Sequence, residues 1–597
     1  MSDTNTVPQW GRESGIAPWL VRLVARFTGI DRLHHIYKSI GPTQGPVDFA
    51  SRALSTMRID VDSCEQTLMR VPDQGRVIIV ANHPFGALDG LAAIRIIGKR
   101  RPDLRVLANA DLTSIAELAP LFLPLNTYAR GSTVRNARAL RTAWRWLEEE
   151  HALVIFPAGD VAHFDARARC VTDPPWSPII GRLVQKTAAP VVPLFFSGQN
   201  STLFQIAGIV APQLRTLLMP GELRRRSNTR VNAHLGERID NTRIREFKSP
   251  EALALHLRLK TFLAPVNESR TVNGAIPARQ LENIATEMPA DCIAHEIARL
   301  DPRARLVSHG GMDAWLARAD QIPHTLSEIG RLREITFRAV GEGTGRARDL
   351  DRFDAHYEHL FVWHSANRQI VGAYRLGRTD DILRHHGRNG LYTTTLFNYR
   401  DPFFMLLGPA LELGRSFVRA EYQRSFAPLM LLWKGIAEFV ARHPKYARLL
   451  GPVSVSGDYV ETSKHLLVDF LRGQHFDHLL GGLVSPRHPF PRSRAMRSLA
   501  SELAMLPALE PLAALVEDLE PDGKGVPILL RQYLKLGGKV LGFNVDPDFG
   551  HSIDCLLLVD LRNTEPRELR KYMQADAVAK FTRKKPIAQQ TSERDAA

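Results

Sequence analysis

Two stretches of this sequence alternate short apolar runs with helical patterns, and this alternation limits the possible folds more than any other feature. The first stretch extends from Val77 to about Gly236 and contains the apolar runs VIIVA, ALVIFP and APVVPLFF. The second begins near Leu306 and contains HLFVWH, IVGAYRLG, PVSVSGDYV and CLLLVDL, with a helical pattern in SFAPLMLLWKGIAEFVARH. In the first stretch such alternation is typical of an α/β layer with a mostly parallel sheet, and the second stretch indicates a further α/β unit. The sequence therefore predicts an α/β fold class with two α/β domains in series.

Composition shifts divide the 597 residues into five predicted segments. Prolines and glycines with weak periodicity mark a connection between the two domains, and a basic run near residue 584 marks a tail. The segments are an N-terminal amphipathic helical segment (1–49), a first α/β domain (50–265), a linker carrying a helix (266–304), a second α/β domain with a helical excursion at 487–527 (305–567), and a basic mobile tail (568–597).

The chain is strongly basic, with 78 Lys and Arg against 63 Asp and Glu and a formal net charge of +15. This balance predicts an anionic partner: nucleic acid, a phospholipid surface or an acidic carrier protein. Nucleic acid is disfavoured because the arginines are scattered and no recognised binding motif accompanies them. No signal-peptide layout and no uncharged apolar run of about 18 residues occurs, so a cytoplasmic location is expected.

Residues 16–30, IAPWLVRLVARFTGI, have two different faces when they are placed on a helix. Trp19, Leu23 and Phe27 share an apolar face, and Arg22 and Arg26 lie off it. A helix of this kind lies on a membrane surface or packs against its own domain, and the pattern fits both.

The histidines and cysteines show no spacing of a metal site. Three histidine pairs have no cysteine or carboxylate at the spacing of a zinc site: His34 with His35, His385 with His386, and the pair at 475 and 478. The four cysteines are far apart and form no C-x-x-C pair. We therefore expect no bound metal, no disulfide framework and a reducing compartment.

The segment VIIVANHPFGALDG places a histidine directly after an apolar strand. His83 lies in a turn with Pro84 and Gly86, and Asp89 precedes the next helix. Catalytic groups of open α/β sheets gather at such strand ends. A neutral imidazole there is suited to take the proton of an attacking hydroxyl, while a carboxylate fixes its tautomer. Because six positions do not share one face of a helix, the turn must fold Asp89 back towards His83.

Two downstream segments extend this pattern. ALVIFPAGD is a predicted buried strand that ends in a turn with open backbone amides, which suits a phosphate or polar head group. APVVPLFFSGQNS is a second buried strand before a loop of small polar residues. The order and spacing of these segments resemble the lysophospholipid acyltransferase family over about residues 50–265. By this resemblance, the catalytic and substrate-binding blocks contain Asn82, His83 and Asp89; Arg130; Phe156, Pro157 and Gly159; and Pro193.

The sequence departs from that family at two points. Five residues separate His83 from Asp89 where the family has four, which lengthens the turn. Ala158 stands where the family has an acid, and the nearest carboxylate is Asp160, which we include among the expected substrate-binding residues. The second departure leaves a catalytically silent domain as an alternative. A covalent route through a nucleophilic serine is disfavoured because no G-x-S-x-G occurs.

Paired acidic residues and arginines are found along the chain after residue 330. Arg333 and Phe337 are four apart and share one face of a predicted helix. Glu412 and Arg415 are three apart, which fits one helical turn or a bulged strand. Taken one pair at a time, such residues also fit a solvated charge network.

As an ordered set they resemble the acyl-carrier-protein-dependent N-acyltransferases of the GNAT superfamily, over about residues 305–565. The resemblance extends to the acyl-homoserine-lactone synthases and, more closely, to the ornithine lipid N-acyltransferases often labelled hemolysin-like. It implies an active-site set made of Arg333, Phe337, Asp351, Asp354, Arg375, Glu412 and Arg415. In this set Glu412 would relay the proton lost by an attacking amine, and the arginines would hold the acceptor carboxylate.

The stretch GEGTG at 341–345 lacks the context of a phosphate-binding loop, so we predict that it is flexible. Acyl carrier protein is therefore the expected acyl donor, and no other cofactor is expected.

Together the two resemblances imply a bifunctional acyltransferase that makes an aminolipid. The second domain would N-acylate ornithine or a similar amino acid with a 3-hydroxyacyl group, and the first would O-acylate the resulting hydroxyl of the lyso-lipid. Acyl carrier protein, these substrates and the cytoplasmic face of the inner membrane are the expected partners. One alternative is a lysophosphatidic-acid-type acyltransferase with a separate N-acyltransferase activity. Another is a membrane-associated hemolysin-like or scaffold protein without catalysis.

Overall fold

The structure, a computed structural model, describes residues 30–109, 115–125, 133–166, 170–268, 281–492, 503, 506 and 508–582. It divides into two compact units, Met1–Val272 with Arg494–Leu515 and Asn273–Ser493 with Val516–Ala597. Residues 16–29 of the predicted amphipathic helix, Arg130, and residues 583–597 of the predicted tail lie outside the described residues.

The first unit is built on a seven-stranded sheet with the strand order β1-β9-β8-β2-β5-β3-β4. All neighbours are parallel except β8 and β9, which are antiparallel. The strands, including a separate β6–β7 hairpin, are β1 (Asp60–Ser63), β2 (Val77–Ala81), β3 (Arg105–Asn109), β4 (Phe122–Leu125), β5 (Ala152–Ile155), β6 (His163–Asp165), β7 (Cys170–Thr172), β8 (Val191–Phe196) and β9 (Arg230–Leu235). The helices are α1 (Ile30–Ser39), α2 (Pro46–Thr56), α3 (Glu65–Leu68), α4 (Ala87–Gly98), α5 (Thr133–Glu148), α6 (Pro178–Thr187), α7 (Thr202–Val210), α8 (Pro212–Arg225), α9 (Asn241–Ile244) and α10 (Pro250–Glu268).

Helices cover both faces of this sheet, and β2 shows why its sequence reads as an unbroken apolar run. Val77 and Ile79 pack into a core with α2 and α4. Ile78 and Val80 point the other way, into a core with α5, α6 and α10. A parallel strand covered on both faces needs apolar side chains at every position. The carboxyl ends of β2, β5 and β8 consequently open at one edge of the sheet.

The second unit is built on an eight-stranded sheet with the order β10-β11-β12-β13-β15-β16-β19-β18. Its strands, with a separate β14–β17 pair, are β10 (Arg305–His309), β11 (Met312–Arg318), β12 (Glu358–His364), β13 (Gln369–Arg378), β14 (Phe397–Tyr399), β15 (Ala410–Val418), β16 (Arg448–Val455), β17 (Val484–Pro486), β18 (Lys539–Asp546) and β19 (Ser552–Asp560). The other helices of the described residues are α11 (Ala290–Ala298), α12 (Pro323–Arg338), α13 (Thr379–His386), α14 (Pro402–Leu407), α15 (Ala427–Arg442), α16 (Glu461–Gln474), α17 (His478–Gly481), α18 (Glu510–Leu519), α19 (Ile528–Lys535), α20 (Pro566–Leu569) and α21 (Ala575–Thr582).

The central strands β15 and β16 separate soon after they pair. They are the parallel neighbours in an otherwise antiparallel sheet, and they pair only over Ala410–Glu412 with Arg448–Leu450. At the point of separation, a Cβ on Gly451 would lie 2.2 Å from the Leu413 carbonyl oxygen, so this position requires glycine. Beyond it the two strands diverge and leave space between them.

The structure confirms the two predicted α/β domains and the strands and helices expected from their apolar patterns. Two predicted segments are corrected. Residues 290–304 of the predicted linker belong to the second unit, because Ile293 and Ile297 of α11 are buried in its core. The predicted mobile tail from 568 instead contains the helix α21, in which Val578 and Phe581 are buried. Both segments present apolar side chains at helical spacing, and their burial outweighs the polar residues between them.

Candidate active sites

His83 and Asp89 meet at the carboxyl end of β2. Imidazole Nδ1 lies 2.9 Å from the Asp89 Oδ2 atom, and the Asp89 side chain is fully buried. The same oxygen accepts the backbone N–H groups of Phe85 at 2.8 Å and Gly86 at 2.9 Å. Gly86 has φ of +88°, a conformation that allows the longer turn to fold back. The predicted approach of Asp89 to His83 is confirmed.

The loop that carries His83 is held from both sides. The Asn82 side-chain amide donates to the Phe196 carbonyl at 3.0 Å and accepts the Phe196 N–H at 2.7 Å. Asp173 accepts the His83 backbone N–H at 3.1 Å and the Trp176 indole N–H at 3.0 Å. Burial raises the pKa of Asp173 to about 6, although both hydrogen bonds lower it. Sequence reasoning missed Asp173, since a lone acid after a short strand gives no signal of its own.

The predicted third block follows β5 and lies beside the histidine. The Phe156 ring centroid is 4.5 Å from that of His83, and Gly159 has φ of +68°. Asp160 forms an ion pair with Arg215 of α8, with Nη2 and Oδ2 3.2 Å apart. Pro157 is buried, and its carbonyl accepts a backbone N–H at the start of α6.

The predicted fourth block lies farther from the imidazole. Pro193 lies within β8, opposite Val80 of β2, so it shapes the sheet and is not in the loop beside His83.

Four of the residues predicted for the second unit form a buried ion network. Arg333 Nη1 lies 2.8 Å from Asp354 Oδ1, and Arg375 Nη1 lies 2.6 Å from Asp351 and 3.3 Å from Asp354. Both guanidinium groups are at least 99% buried. Burial alone would raise the pKa of Asp354, but the two arginines hold it well below its usual range. The network anchors α12 to the sheet.

Arg415 and Phe337 face the space between the diverging strands. Arg415 has φ of +50° on β15, next to a shift in the pairing of β13 with β15, so the bulged-strand interpretation of its spacing is confirmed. Its Nε lies 3.2 Å from an Asp349 carboxylate oxygen. The space is a cavity of about 640 Å³, lined by Arg415, Phe337, Pro452–Ser454 of β16 and other side chains.

Glu412 lies behind this cavity. It is 1% exposed, and it is not among the residues that line the cavity. The Tyr357 hydroxyl donates to its Oε2 atom, and the Thr393 N–H donates to Oε1 at 2.8 Å. Both oxygens are therefore engaged inside the protein. A proton relay through Glu412 stays a prediction, and it would have to pass through the Tyr357 hydroxyl.

The carboxylates that do line the cavity are Glu342 and Asp554. Glu342 belongs to the 341–345 stretch, whose predicted flexibility is wrong: Thr344 and Gly345 donate backbone N–H groups to the Glu334 carboxylate at 2.9 and 2.8 Å. Sequence reasoning missed both acids. The signal for Asp554 is a carboxylate inside the apolar strand SIDCLLLVD, where nearly every position is buried.

Comparison with known proteins gives a separate result for each half of the chain. Residues 17–266 match the family described as acyltransferase, and residues 332–434 match the acetyltransferase (GNAT) domain. A glycine Nα-acyltransferase from Phocaeicola vulgatus is 28% identical over 281 residues, which cover 45% of this chain and 85% of that protein. An L-ornithine Nα-acyltransferase from Rhizobium meliloti is 30% identical over 250 residues, 40% of this chain and 76% of that protein.

For a lyso-glycine lipid O-acyltransferase from Phocaeicola vulgatus, the identity is 30% over 159 residues. The match covers 26% of this chain and 54% of that protein, so the chain spans about half the length of this relative.

The buried ion network predicts an unequal response to removing its two aspartate charges. Asp354→Asn leaves two buried guanidinium groups without their shared partner and should lower the free energy of unfolding by about 3–5 kcal/mol. Asp351→Asn is the matched control. It should lower the free energy of unfolding by less, because Asp351 is 23% exposed and water can take the place of its carboxylate. Urea unfolding followed by circular dichroism measures both changes. Equal losses would contradict the central position of Asp354.

Proposed function

Because this chain belongs to the family of amino-acid Nα-acyltransferases and carries an acyltransferase-family domain at residues 17–266, we propose that it makes an aminolipid in two consecutive steps. The second unit transfers a 3-hydroxyacyl group from acyl carrier protein to the α-amine of ornithine. The first unit then acylates the 3-hydroxyl of that lyso-lipid. The product of one step is the acceptor of the next, which gives a reason for joining both activities in one chain.

The observation that carries this proposal is that each unit has its own polar site at the end of its central strands. In the first unit, His83 Nε2 takes the proton of the acceptor hydroxyl while Asp89 stabilises the imidazolium. In the second unit, a guanidinium at a cavity of about 640 Å³ is suited to hold the carboxylate of an amino acid with two parallel hydrogen bonds.

Glycine is the second candidate for the acceptor. The glycine Nα-acyltransferase match covers 281 residues of alignment against 250 for the ornithine enzyme, so the comparisons support both amino acids. Both acceptors share the carboxylate that Arg415 would bind, and they differ in the side-chain ammonium of ornithine. Assaying the purified chain with each amino acid and a 3-hydroxyacyl carrier protein distinguishes the two candidates.

The first unit has an apolar surface suited to a lipid substrate. The helices α7 and α8 expose a row of large aliphatic side chains: Leu203, Ile206, Ile209, Val210, Leu214 and Leu217. Arg224 and Arg225 are exposed at the end of α8, which favours anionic lipid. Among the described residues, no helix is long and apolar enough to cross a membrane.

This surface adjoins the His83 site through α8. A Cβ on Gly86 would lie 2.1 Å from the Met219 methyl group, and Arg215 pairs with Asp160. We therefore place α7 and α8 against the cytoplasmic face of the inner membrane, where the lyso-lipid is taken up.

Replacing the histidine tests the O-acylation step. His83→Ala should slow O-acylation about 10²-fold to 10⁴-fold and leave N-acylation unchanged, so lyso-lipid accumulates. Asp89→Asn should have a smaller effect, because the imidazole stays but loses its orientation. His35→Ala, on the exposed face of α1, is the control. Mass spectrometry of the lipids from each variant gives the ratio of lyso-lipid to diacyl product. A normal amount of diacyl product from His83→Ala would remove this residue from the mechanism.

Removing the cavity guanidinium tests the order of the steps. Arg415→Ala should remove both lyso-lipid and finished lipid, since losing a bidentate contact misplaces the acceptor amine. Added synthetic lyso-lipid should restore the diacyl product, because His83 lies in the other unit and distant sites act nearly additively. If lyso-lipid still forms at the normal rate, Arg415 does not hold the acceptor.

The apolar surface predicts weaker binding to vesicles when it is charged. Ile206→Glu with Ile209→Glu should lower the partition of the chain onto phosphatidylglycerol-containing vesicles at least about tenfold, since each buried aliphatic side chain contributes roughly 1.5–3 kcal/mol. The matched control is Ile179→Glu on α6, where the isoleucine is also exposed. Sedimentation with the vesicles measures the bound fraction. An equal loss in the control would show that α7 is not the contact.

A further inference from the structure

We propose that Glu342 and Asp554 receive the amine of the acceptor in the second unit, and that Glu342 is the base that takes its proton. This inference rests on the proposed N-acyl transfer and assigns its proton acceptor to residues other than Glu412.

The two carboxylates flank one serine at the cavity wall. Ser454 of β16 is paired in register with Asp554 of β19, so their side chains are cross-strand neighbours. The Ser454 hydroxyl donates to Glu342 Oε2 at 2.9 Å. Glu342 is 6% exposed and Asp554 is 5% exposed, and both line the cavity. Two buried acids therefore lie side by side on the surface where a substrate would bind.

Neither carboxylate is neutralised by the protein. Asp554 Oδ2 has a long contact of 3.4 Å with the Asn544 side-chain amide, and Glu342 has only the serine hydroxyl. Within the described ranges, neither acid forms an ion pair, and the second oxygen of each has no donor. Buried carboxylates are almost always paired. An ammonium group in the cavity would supply the missing positive charge and the missing donors.

An amino acid also needs a positive group for its carboxylate, and the same cavity provides one. Arg415 lines the cavity with the two acids. Its Nε lies 3.2 Å from an Asp349 carboxylate oxygen and its Nη2 lies 3.8 Å from Asp351. Its guanidinium lies over the rings of Tyr392 and Phe549 at 4.9 and 5.1 Å. An acceptor whose ammonium and carboxylate share one carbon can therefore meet both charges at once. The apolar remainder of the cavity is suited to the acyl chain.

The surroundings of Glu342 hold its pKa near neutral pH. The pKa of Glu342 is raised to about 7, chiefly by burial; Ser454 and Arg415 lower it, and Asp458 and Asp546 raise it. The neighbouring Asp554 has a pKa well above its usual range, again because of burial. A base with a pKa near the working pH is the most effective one for taking a proton and releasing it again.

The proposed step balances in atoms and charge. The ammonium gives one proton to the Glu342 carboxylate, and the resulting amine attacks the thioester carbonyl carbon. The C–N bond forms and the C–S bond breaks, and the second N–H proton goes to the departing sulfur as thiol. Glu342 then releases its proton to water. The products are an amide, the carrier-protein thiol and one proton.

The test is the pH profile of N-acylation by the full-length chain with a 3-hydroxyacyl carrier protein and either ornithine or glycine. For the wild-type chain, kcat/KM should rise with pH and level off above about 7. Glu342→Gln should lower kcat about 10²-fold to 10⁴-fold and lose that inflection. Glu342→Asp should recover part of the rate, and Asp554→Asn should mainly raise the KM for the amino acid. Glu412→Gln tests the competing base and should keep the inflection, and Glu565→Gln, at an exposed glutamate of the same unit, is the control.

Two measurements show that the Glu342→Gln protein is folded. Its O-acylation of synthetic lyso-lipid should equal that of the wild type. Its melting temperature at pH 8 should be higher, since a carboxyl whose pKa is raised on folding loses stability as the pH rises through about 7, and glutamine carries no charge there.

The outcomes separate this inference from the proposed function. No N-acyl product from the wild-type chain with either amino acid would overturn the proposed function. A product from the wild type together with an unchanged rate and pH profile in Glu342→Gln would overturn only the role of Glu342.

Discussion

The divergence of two parallel strands is the constraint on which the second unit depends. Because β15 and β16 pair over three residues on each strand and then separate, the edges that face each other beyond that point are unpaired, while β15 continues to pair with β13 and β16 with β19. Arg415 points into it from a bulge on one strand, and Ser454 faces it from the other. The same divergence that interrupts the sheet creates a cavity lined by both charged and apolar side chains.

The charged residues around that cavity fall into two groups that differ in their partners. Arg333, Arg375, Asp351 and Asp354 form ion pairs with one another inside the protein, and these pairs hold α12 on the sheet. The acids at Glu342 and Asp554 have no such partner, and a buried charge without a partner is costly to keep. The first group therefore gives rigidity, and the second gives the cavity its affinity for a cation.

The first unit positions its polar side chains with a closed turn and not with diverging strands. Its histidine sits on a turn that a buried carboxylate closes by accepting two backbone N–H groups, so the same oxygen shapes the loop and faces the imidazole. The exposed aliphatic row on α7 and α8 is joined to this turn through Met219 and Arg215. The proposed lipid contact and the proposed base are thus linked by α8.

Local sequence patterns were enough to predict the two α/β layers, the strands β2, β5, β8, β13 and β19, and the approach of Asp89 to His83, because strand periodicity and turn residues are local properties. Which acids face the cavity depends on how the chain folds. Glu412 looked catalytic by its place in an ordered set, yet Tyr357 and Thr393 engage both of its oxygens. Glu342 looked like part of a flexible loop and is buried beside Ser454. Whether these carboxylates have a partner depends on residues about 20 to 110 positions away, and no local pattern carries that information.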